Sequence, residues 1–303
     1  MPNKTEYLSI QRKIVAEMTS KSWQEIPHVS FNYEPDITAL YELYQNEIKP
    51  LGLSFNTLII KIIVEGLKVA KAMNAEIVYN YKLARGYVVK KDEISVSMPM
   101  ILPSGEMMTV TLKNINDMSL VELRNYIIDI RRRSFSTNLN EVMYDIAKGK
   151  LLERMAHGQV LSQGVKILLN QFGKGRPVHF RGKKKRDYES IPQNDRLVKA
   201  DMDPGTVTIS NVGSLYPGLR GSFSLLEILP GQVVAIGLGA VQDRATVIKN
   251  KDGSKDVAVR RIFPMCIAFD HRALDFNEIV PFVKKLDEIF AEPKQVLNWI
   301  AKE

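Results

Sequence analysis

Between Ser54 and Met73 the chain reads SFNTLIIKIIVEGLKVAKAM, a helical stretch whose apolar residues occupy most of the circumference. A surface helix carries one apolar stripe, whereas a helix that is apolar nearly all round is held between layers. Ser54 is placed as its N-cap, because a serine oxygen accepts from the free backbone N–H groups of a first helical turn. The rest of the chain must therefore supply the layers that cover this helix.

The flanking patterns provide them. Ile10, Ile14, Val15 and Met18 recur at helical spacing, and Val29, Phe31 and Tyr33 then alternate as a half-buried strand does. A helix through TALYELYQNEI is expected to stop at Pro50 and Gly52. Strand-like runs follow at EIVYNY, GYVVK, EISVSMPMI and EMMTVTL, parted by turn residues such as Arg85-Gly86 and Pro103-Ser104-Gly105. Ser119 with Glu122 forms a capping box for a helix through LVELRNYIIDIRRR. From about 134 to 195 the character changes: helical patterning from Glu141 to Phe172 ends in GKGRPVHFRGKKKRD, which reads as an insertion or partly ordered flap with a solvated basic loop. Strands are then expected at TVTISN, QVVAIGLGAV, ATVIK and VRRIFPMCIAFDH, the last two joined by the turn NKDGS, followed by helices through EIVPFVKKLDEIF and PKQVLNWIA. Helices bracket strands without the regular alternation of a wound parallel sheet, which predicts an α+β fold in a single domain over 1–303. No internal repeat is evident.

Composition narrows the function classes. Lys plus Arg number 42 and Asp plus Glu 34, and between Phe172 and Ser190 seven basic residues face two acidic ones. Of the net +8, +5 therefore lies in that one segment, which argues against a protein-wide nucleic-acid surface. The basic residues Lys174, Arg176, Arg181 and Lys183 to Arg186 form a solvated charged loop, or meet an anionic partner such as the phosphates of a coenzyme A-type ligand, a membrane surface or an acidic protein. The single Cys266 excludes an intramolecular disulfide framework and a cysteine-based zinc site, and makes a reducing compartment, the cytoplasm, the expectation. The opening MPNKTEYLSIQRK is too polar for a signal peptide, and no transmembrane segment is expected. His28, His157 and His179 are scattered without metal-ligand spacing, so no metal is expected. GLGAVQ lacks the last glycine of a dinucleotide fingerprint.

Two segments carry chemistry. In IAFDHRALDF an apolar strand runs into Asp270-His271-Arg272, and Asp275 follows His271 by four positions. A strand end is a rigid mount for an imidazole acting as general base, although a surface histidine in a charged turn reads the same way. Cys266, five residues earlier, points to the opposite face of an extended strand and is assigned to the core. In TVTISNVGSLYPG, Thr206, Thr208 and Ser210 share one face and Ser210 delivers a hydroxyl near the strand's end. Such a hydroxyl can donate to an oxyanion, or simply decorate an exposed face.

In order and spacing, TVTISNVGS, QVVAIGLGAVQDR and FDHRALD resemble the acyltransferase core domain of the 2-oxo acid dehydrogenase complexes, whose two-layer mixed-sheet fold is shared with chloramphenicol acetyltransferase. QRKIVAEM, EIPHVSFNYEPDITAL, SFNTLIIKIIVEGLKVAKAMNAEI and EISVSMPMILPSGEMMTVTLKNINDMSLVEL resemble the same family's first helix and strand, long central helix, and following strand pair. The resemblance implies that His271 is general base on the thiol of coenzyme A or of a dihydrolipoyl group, and that Ser210 hydrogen-bonds the tetrahedral oxyanion. It implies that Asp275 holds the histidine loop, through an ion pair with Arg12; Lys183, Lys184 and Arg186, in a segment where the chain departs from the family, are assigned to the coenzyme A phosphates by their charge alone. It further implies a homotrimer, or a multiple of one, with His271 from one chain and Ser210 from the next, serving a lipoyl-bearing protein or other dehydrogenase-complex subunits. No lipoyl or subunit-binding domain is expected in this sequence, so a lipoyl group would come in trans. The chain departs from the family in the long segment between Arg133 and Thr206 and in Phe276, which stands where members usually carry glycine after the motif aspartate. If that glycine used a positive φ, the turn must be rebuilt around the aromatic residue. Two other functions fit the same residues: a core-like scaffold that recruits a partner through its basic segment without efficient turnover, and a small-molecule O-acetyltransferase.

Overall fold

A computed structural model describes residues 6–103, 105–156, 179–222, 224–250 and 252–301. His157, Lys174 and Arg176 lie outside the described residues. The chain folds as two units, one made of 1–21, 101–108 and 129–203, the other of 22–100, 109–128 and 204–303.

The second unit is built on a six-stranded sheet in the order β1-β10-β7-β6-β4-β5, with β1 His28–Tyr33, β4 Val96–Ile101, β5 Met107–Leu112, β6 Val207–Asn211, β7 Val234–Leu238 and β10 Met265–Asp270. The turn of the β4–β5 pair, 101–108, falls in the first unit. β10 is antiparallel to both β1 and β7, while β6 is parallel to β7 and to β4, so the sheet is mixed. β7 and β10 are buried along their whole length, which explains their unbroken apolar sequences. β1, at the edge, is only half covered, and Val29 is exposed.

The central helix, α3 (Phe55–Val69), starts where expected: the Ser54 hydroxyl accepts from Thr57 N at 3.1 Å. Its residues from Thr57 to Val64 are buried without interruption, Lys61 included. Helix α7 (Phe276–Ala291) packs against it through Phe282 and Leu286, and the contact is so close that a Cβ on Gly66 would lie 2.6 Å from Leu286 Cδ1. Upstream, α2 (Thr38–Leu43) runs into a π turn over Tyr44–Ile48 and a 3-10 turn over Lys49–Leu51, and stops at Gly52 with φ +72°. Two antiparallel ribbons complete this unit, β2 (Ala75–Asn80) with β3 (Arg85–Lys90) and β8 (Gln242–Lys249) with β9 (Lys255–Ile262). The architecture is the expected α+β one, with helices layered on a mixed sheet.

The first unit holds most of α1 (Ile10–Glu25), the last turn of α4 (Leu120–Ser134), α5 (Leu139–Ala156) and α6 (Gly182–Glu189). The capping box opening α4 is formed, with Ser119 N donating to Glu122 Oε2 at 2.8 Å and Glu122 N to Ser119 Oγ at 3.2 Å. At its other end Arg133 closes on both oxygens of Asp201 at 2.9 Å and on Asp129 at 2.9 Å. Among the described residues no single helix is long and apolar enough to cross a membrane.

Three expectations need correction. VRRIFPMCIAFDH is not one strand: β9 ends at Ile262, and the chain passes through Phe263-Pro264 into β10 of the main sheet, because Pro264 has no N–H to continue a ladder. The basic stretch read as a loop is helical in α6, where lysine and arginine are good helix formers and the buried Tyr188 fastens the turn. PKQVLNWIA forms a 3-10 helix over Pro293–Trp299 rather than an α-helix.

Candidate active site

His271 follows the last residue of β10, where its backbone N–H donates to Pro27 O at 3.1 Å. Its Nδ1 lies 3.1 Å from Leu274 O and 3.4 Å from Asp275 Oδ1. A carbonyl and a carboxylate only accept, so Nδ1 carries the proton and donates it, and Nε2 keeps its lone pair. The ring is half exposed and stands edge-on to Phe269, with centroids 6.0 Å apart. This is the tautomer and the exposure that a general base needs.

The turn is stiffened from below. Asp270 is fully buried, and Arg272 grips it through Nε at 3.0 Å and Nη2 at 2.6 Å, with its own backbone N on Asp270 Oδ1 at 2.9 Å. That hydrogen bond to Asp270 raises the Arg272 pKa above its ordinary value. Asp270 O accepts from both Ala273 N and Leu274 N, closing the turn. Asp275 ends it as N-cap of α7, its N–H donating to Glu278 Oε2 at 2.9 Å. Asp275 therefore sits beside His271, as expected. Arg12 lies on α1 in the first unit, where its backbone N–H donates to Ser9 Oγ at 3.2 Å.

Phe276 does not distort the turn. It is the first residue of α7 and is not among the positive-φ residues, which apart from glycine are Ala84 and Asn114 among the described residues. The rebuilding expected from its bulk is thus unnecessary: a helical first position suits any L residue. Its ring packs edge-on to Phe31 at 5.1 Å.

Ser210 sits on β6 opposite Gly237 of β7, and its hydroxyl has no hydrogen-bond partner among the described residues. Its neighbour on the same face, Thr208, donates to Gln232 Oε1 at 2.7 Å, and Gln232 Nε2 in turn donates to Gly205 O at 2.6 Å. Thr206 donates to Ser95 O at 3.1 Å, so of the three hydroxyls the sequence put on this face two are spent on structure and Ser210 is free. Beyond it, Gly213 is pressed so close to the next strand connection that a Cβ would lie 2.1 Å from Gly239 O.

The register shows how far apart the two groups are. Phe269 faces Val234 and Asp270 N bonds Val233 O, so His271 lies at the start of β7, whereas Ser210 faces Gly237 near its end. Four to five residues at about 3.3 Å each, plus two strand spacings of about 4.8 Å, give roughly 16–19 Å between them. Within one chain the serine and the histidine do not meet. A cleft of about 660 Å³ at the His271 end of the sheet is lined by Glu76, Lys91, Ser95, Thr206 and Gln232, among others.

Other candidates resolve simply. Cys266 is buried, and burial pushes its thiol up to about 11, as befits a core residue. His28 is held in one tautomer, Nδ1 donating to Ile26 O at 2.8 Å and Nε2 accepting from Ile228 N at 3.1 Å. His179 stacks on Tyr144 at 4.2 Å. No group of three or more metal-ligating side chains exists among the described residues. On α6, Lys185 reaches Glu189 at 3.6 Å, while Lys183, Lys184 and Arg186 are exposed and meet no carboxylate among the described residues. The Arg272–Asp270 grip has only a faint signal in the sequence, that residues two apart at a strand end face the same side. Tyr81 has none, since its hydroxyl accepts from Arg272 Nη1 at 3.0 Å across a gap of 191 residues that no local pattern bridges.

The 2-oxoacid dehydrogenases acyltransferase (catalytic domain) family matches residues 2–144 and 183–298. The succinyltransferase component of the bovine (Bos taurus) mitochondrial 2-oxoglutarate dehydrogenase complex is 34% identical over 105 residues, which are 35% of this chain and 21% of that protein. The match thus spans about a fifth of the relative's length. The dihydrolipoamide acetyltransferase of Azotobacter vinelandii superposes with a TM-score of 0.62 at 16% identity, covering 98% of this chain and 94% of that one. The cubic core of a pyruvate dehydrogenase multienzyme complex superposes with a TM-score of 0.60 at 15% identity, covering 98% and 94%. At such identities the two superpositions establish a shared fold.

Proposed function

Because the chain belongs to the 2-oxoacid dehydrogenase acyltransferase catalytic-domain family, we propose that it moves an acyl group between coenzyme A and a thiol of the dihydrolipoyl type, at a site shared by two copies. The observation that carries this reading is His271, whose Nδ1 proton is engaged by Leu274 O and Asp275 while Nε2 is free toward solvent.

His271 Nε2 takes the proton of the attacking thiol, and the sulfur adds to the thioester carbonyl. The tetrahedral oxyanion accepts a hydrogen bond from the Ser210 hydroxyl of a neighbouring copy. Collapse breaks the original carbon–sulfur bond, and the departing thiolate recovers the proton from the His271 imidazolium. Asp275, beside Nδ1, favours that imidazolium while it exists, and an ion pair to Arg12 is part of the proposal. Lys183, Lys184 and Arg186 are assigned to the coenzyme A phosphates, and a lipoyl group, where it is the acceptor, is carried on a lipoyl domain.

The separation of His271 and Ser210 within one chain supports assembly into trimers or multiples of them, since the pair is complete only between copies. The Azotobacter structure belongs to work on the catalytic roles of a serine, a histidine and an asparagine four positions after that histidine, the spacing of His271 and Asp275 here. The test is transfer from acyl-coenzyme A to dihydrolipoamide by the purified chain. His271→Ala is expected to lower kcat by about 10²- to 10⁴-fold with the fold intact, and an unchanged rate overturns the proposal.

A further inference from the structure

We propose that Tyr81, at the tip of the β2–β3 ribbon, is a positioning residue that fixes the imidazole of His271. Its kinetic consequence rests on the acyl-transfer reading; its structural consequence does not.

One continuous series of contacts joins Tyr81 to the imidazole of His271. The Tyr81 hydroxyl donates to the backbone carbonyl of Glu25 and accepts from Arg272 Nη1 at 3.0 Å. The remaining two guanidinium nitrogens of Arg272 both close on the buried Asp270 carboxylate, so all three nitrogens of the plane are engaged. Asp270 O holds the amides of Ala273 and Leu274, and Leu274 O receives the Nδ1 proton of His271. A planar guanidinium gripped along one edge can still pivot about that edge, and the third contact removes the pivot. Tyr81 supplies it, and the Arg272 guanidinium also lies 5.9 Å from the centre of its ring.

The residue is placed to set geometry rather than to hold the fold. Tyr81 is 56% exposed, so losing its hydroxyl leaves no buried group unpaired on the tyrosine side. Asp270 keeps Arg272 through two nitrogens whatever happens at Nη1. The ribbon is joined to the sheet at its base, by the Glu76–Gln232 bridge and by Ile77 N donating to Gly231 O at 3.1 Å. A two-stranded ribbon is marginal by itself, so its tip is free to settle where Tyr81 fastens it. The hydroxyl thereby couples the position of the ribbon tip to the turn that carries the base.

The experiment uses Tyr81→Phe in the whole chain labelled with ¹⁵N-histidine, with His271→Ala to assign the ring. Long-range ¹H–¹⁵N correlations report which nitrogen is protonated. In the wild type His271 is expected as the Nδ1–H form, and in Tyr81→Phe as a mixture of both tautomers, while His28, held by Ile26 O and Ile228 N, stays unchanged and certifies the fold. In parallel kcat for acyl transfer is expected to fall about fivefold to tenfold, as for loss of one charge-assisted hydrogen bond, with KM for acyl-coenzyme A within about twofold. Tyr81→Leu, which also removes the ring face, is expected to deepen both effects. An unaltered His271 tautomer in both variants overturns the proposal. A wild type without transferase activity overturns the functional reading instead and leaves the tautomer measurement to decide on Tyr81.

Discussion

The sharpest consequence of the fold concerns two variants that are each impaired and recover when mixed. In the proposed mechanism His271→Ala removes the base and Ser210→Ala the oxyanion donor. Since β7 separates them by roughly 16–19 Å at ordinary strand dimensions, any working pair takes its histidine from one copy and its serine from the next. Alone, His271→Ala is expected to keep about 10⁻² to 10⁻⁴ of the wild-type rate and Ser210→Ala about 10⁻² to 10⁻³. In an assembly drawn at random from equal amounts of the two, a site is intact when its histidine donor is the Ser210→Ala chain and its serine donor the His271→Ala chain. That occurs at about one site in four in a closed ring with heterologous contacts. Mixed assemblies, made by co-expression with two affinity tags and purified on both, lose the unmixed rings, so a mixed trimer has one intact site in three; they should show about a quarter to a third of the wild-type kcat against about 1% or less for either parent. The assay is thioester transfer from acyl-coenzyme A to dihydrolipoamide, with native mass spectrometry certifying the mixture. If certified mixed assemblies are no faster than the mean of their parents, the shared site is wrong, whatever the fate of His271 as a base.

Two further outcomes are expected. Gly66→Ala places a methyl group 2.6 Å from Leu286 Cδ1 and 2.7 Å from Phe282, so the contact between α3 and α7 must open; urea titration should show a loss of about 1–3 kcal/mol, and a change within error would mean the helices have room to yield. Replacing Lys183, Lys184 and Arg186 together by glutamine should raise KM for acyl-coenzyme A by about tenfold with kcat retained, because uniform binding is removed and the reacting groups are not touched; an unchanged KM assigns these cations elsewhere.

What could be seen in the sequence was what is decided locally. The Ser54 cap, the Ser119–Glu122 box and the apolar circumference of α3 each depend on residues within a few turns, and each is formed. The fourth late strand was misread because hydrophobicity runs on through Ile262, Phe263 and Met265, while the deciding feature is the missing N–H of Pro264. Helix α6 was misread as a loop because its stability comes from outside itself: Tyr188 is buried against Phe180 and Arg196, with its hydroxyl accepting from Asn138 N at 3.3 Å. At the site, His271 and Asp275 were legible as neighbours, four residues apart at a strand end. Tyr81 was not, since its partner lies in another element, and the distance from Ser210 to His271 is a property of strand order alone.

Charge adds a last constraint on where an anionic substrate is gripped. The first unit holds 20 Lys and Arg against 12 Asp and Glu, and the second 22 against 22, so the formal +8 of the chain belongs wholly to the unit that does not carry His271 or Ser210. In the second unit, moreover, several cations are already committed, Arg272 to Asp270, Arg244 to Glu34 at 2.8 Å and Lys61 to Glu65 at 2.9 Å, where burial also lowers the Lys61 pKa. A neutral surface with paired cations focuses little field on a polyanion, whereas an unpaired cluster raises its local concentration. The free cations of α6 are such a cluster, and they begin where the family match resumes at residue 183, after a stretch from 145 to 182 that the family does not match. Substrate capture by this chain should therefore weaken with ionic strength, since exposed charges are screened over about 10 Å at 0.1 M salt, while the chemical step proposed for His271, in the neutral unit, should not.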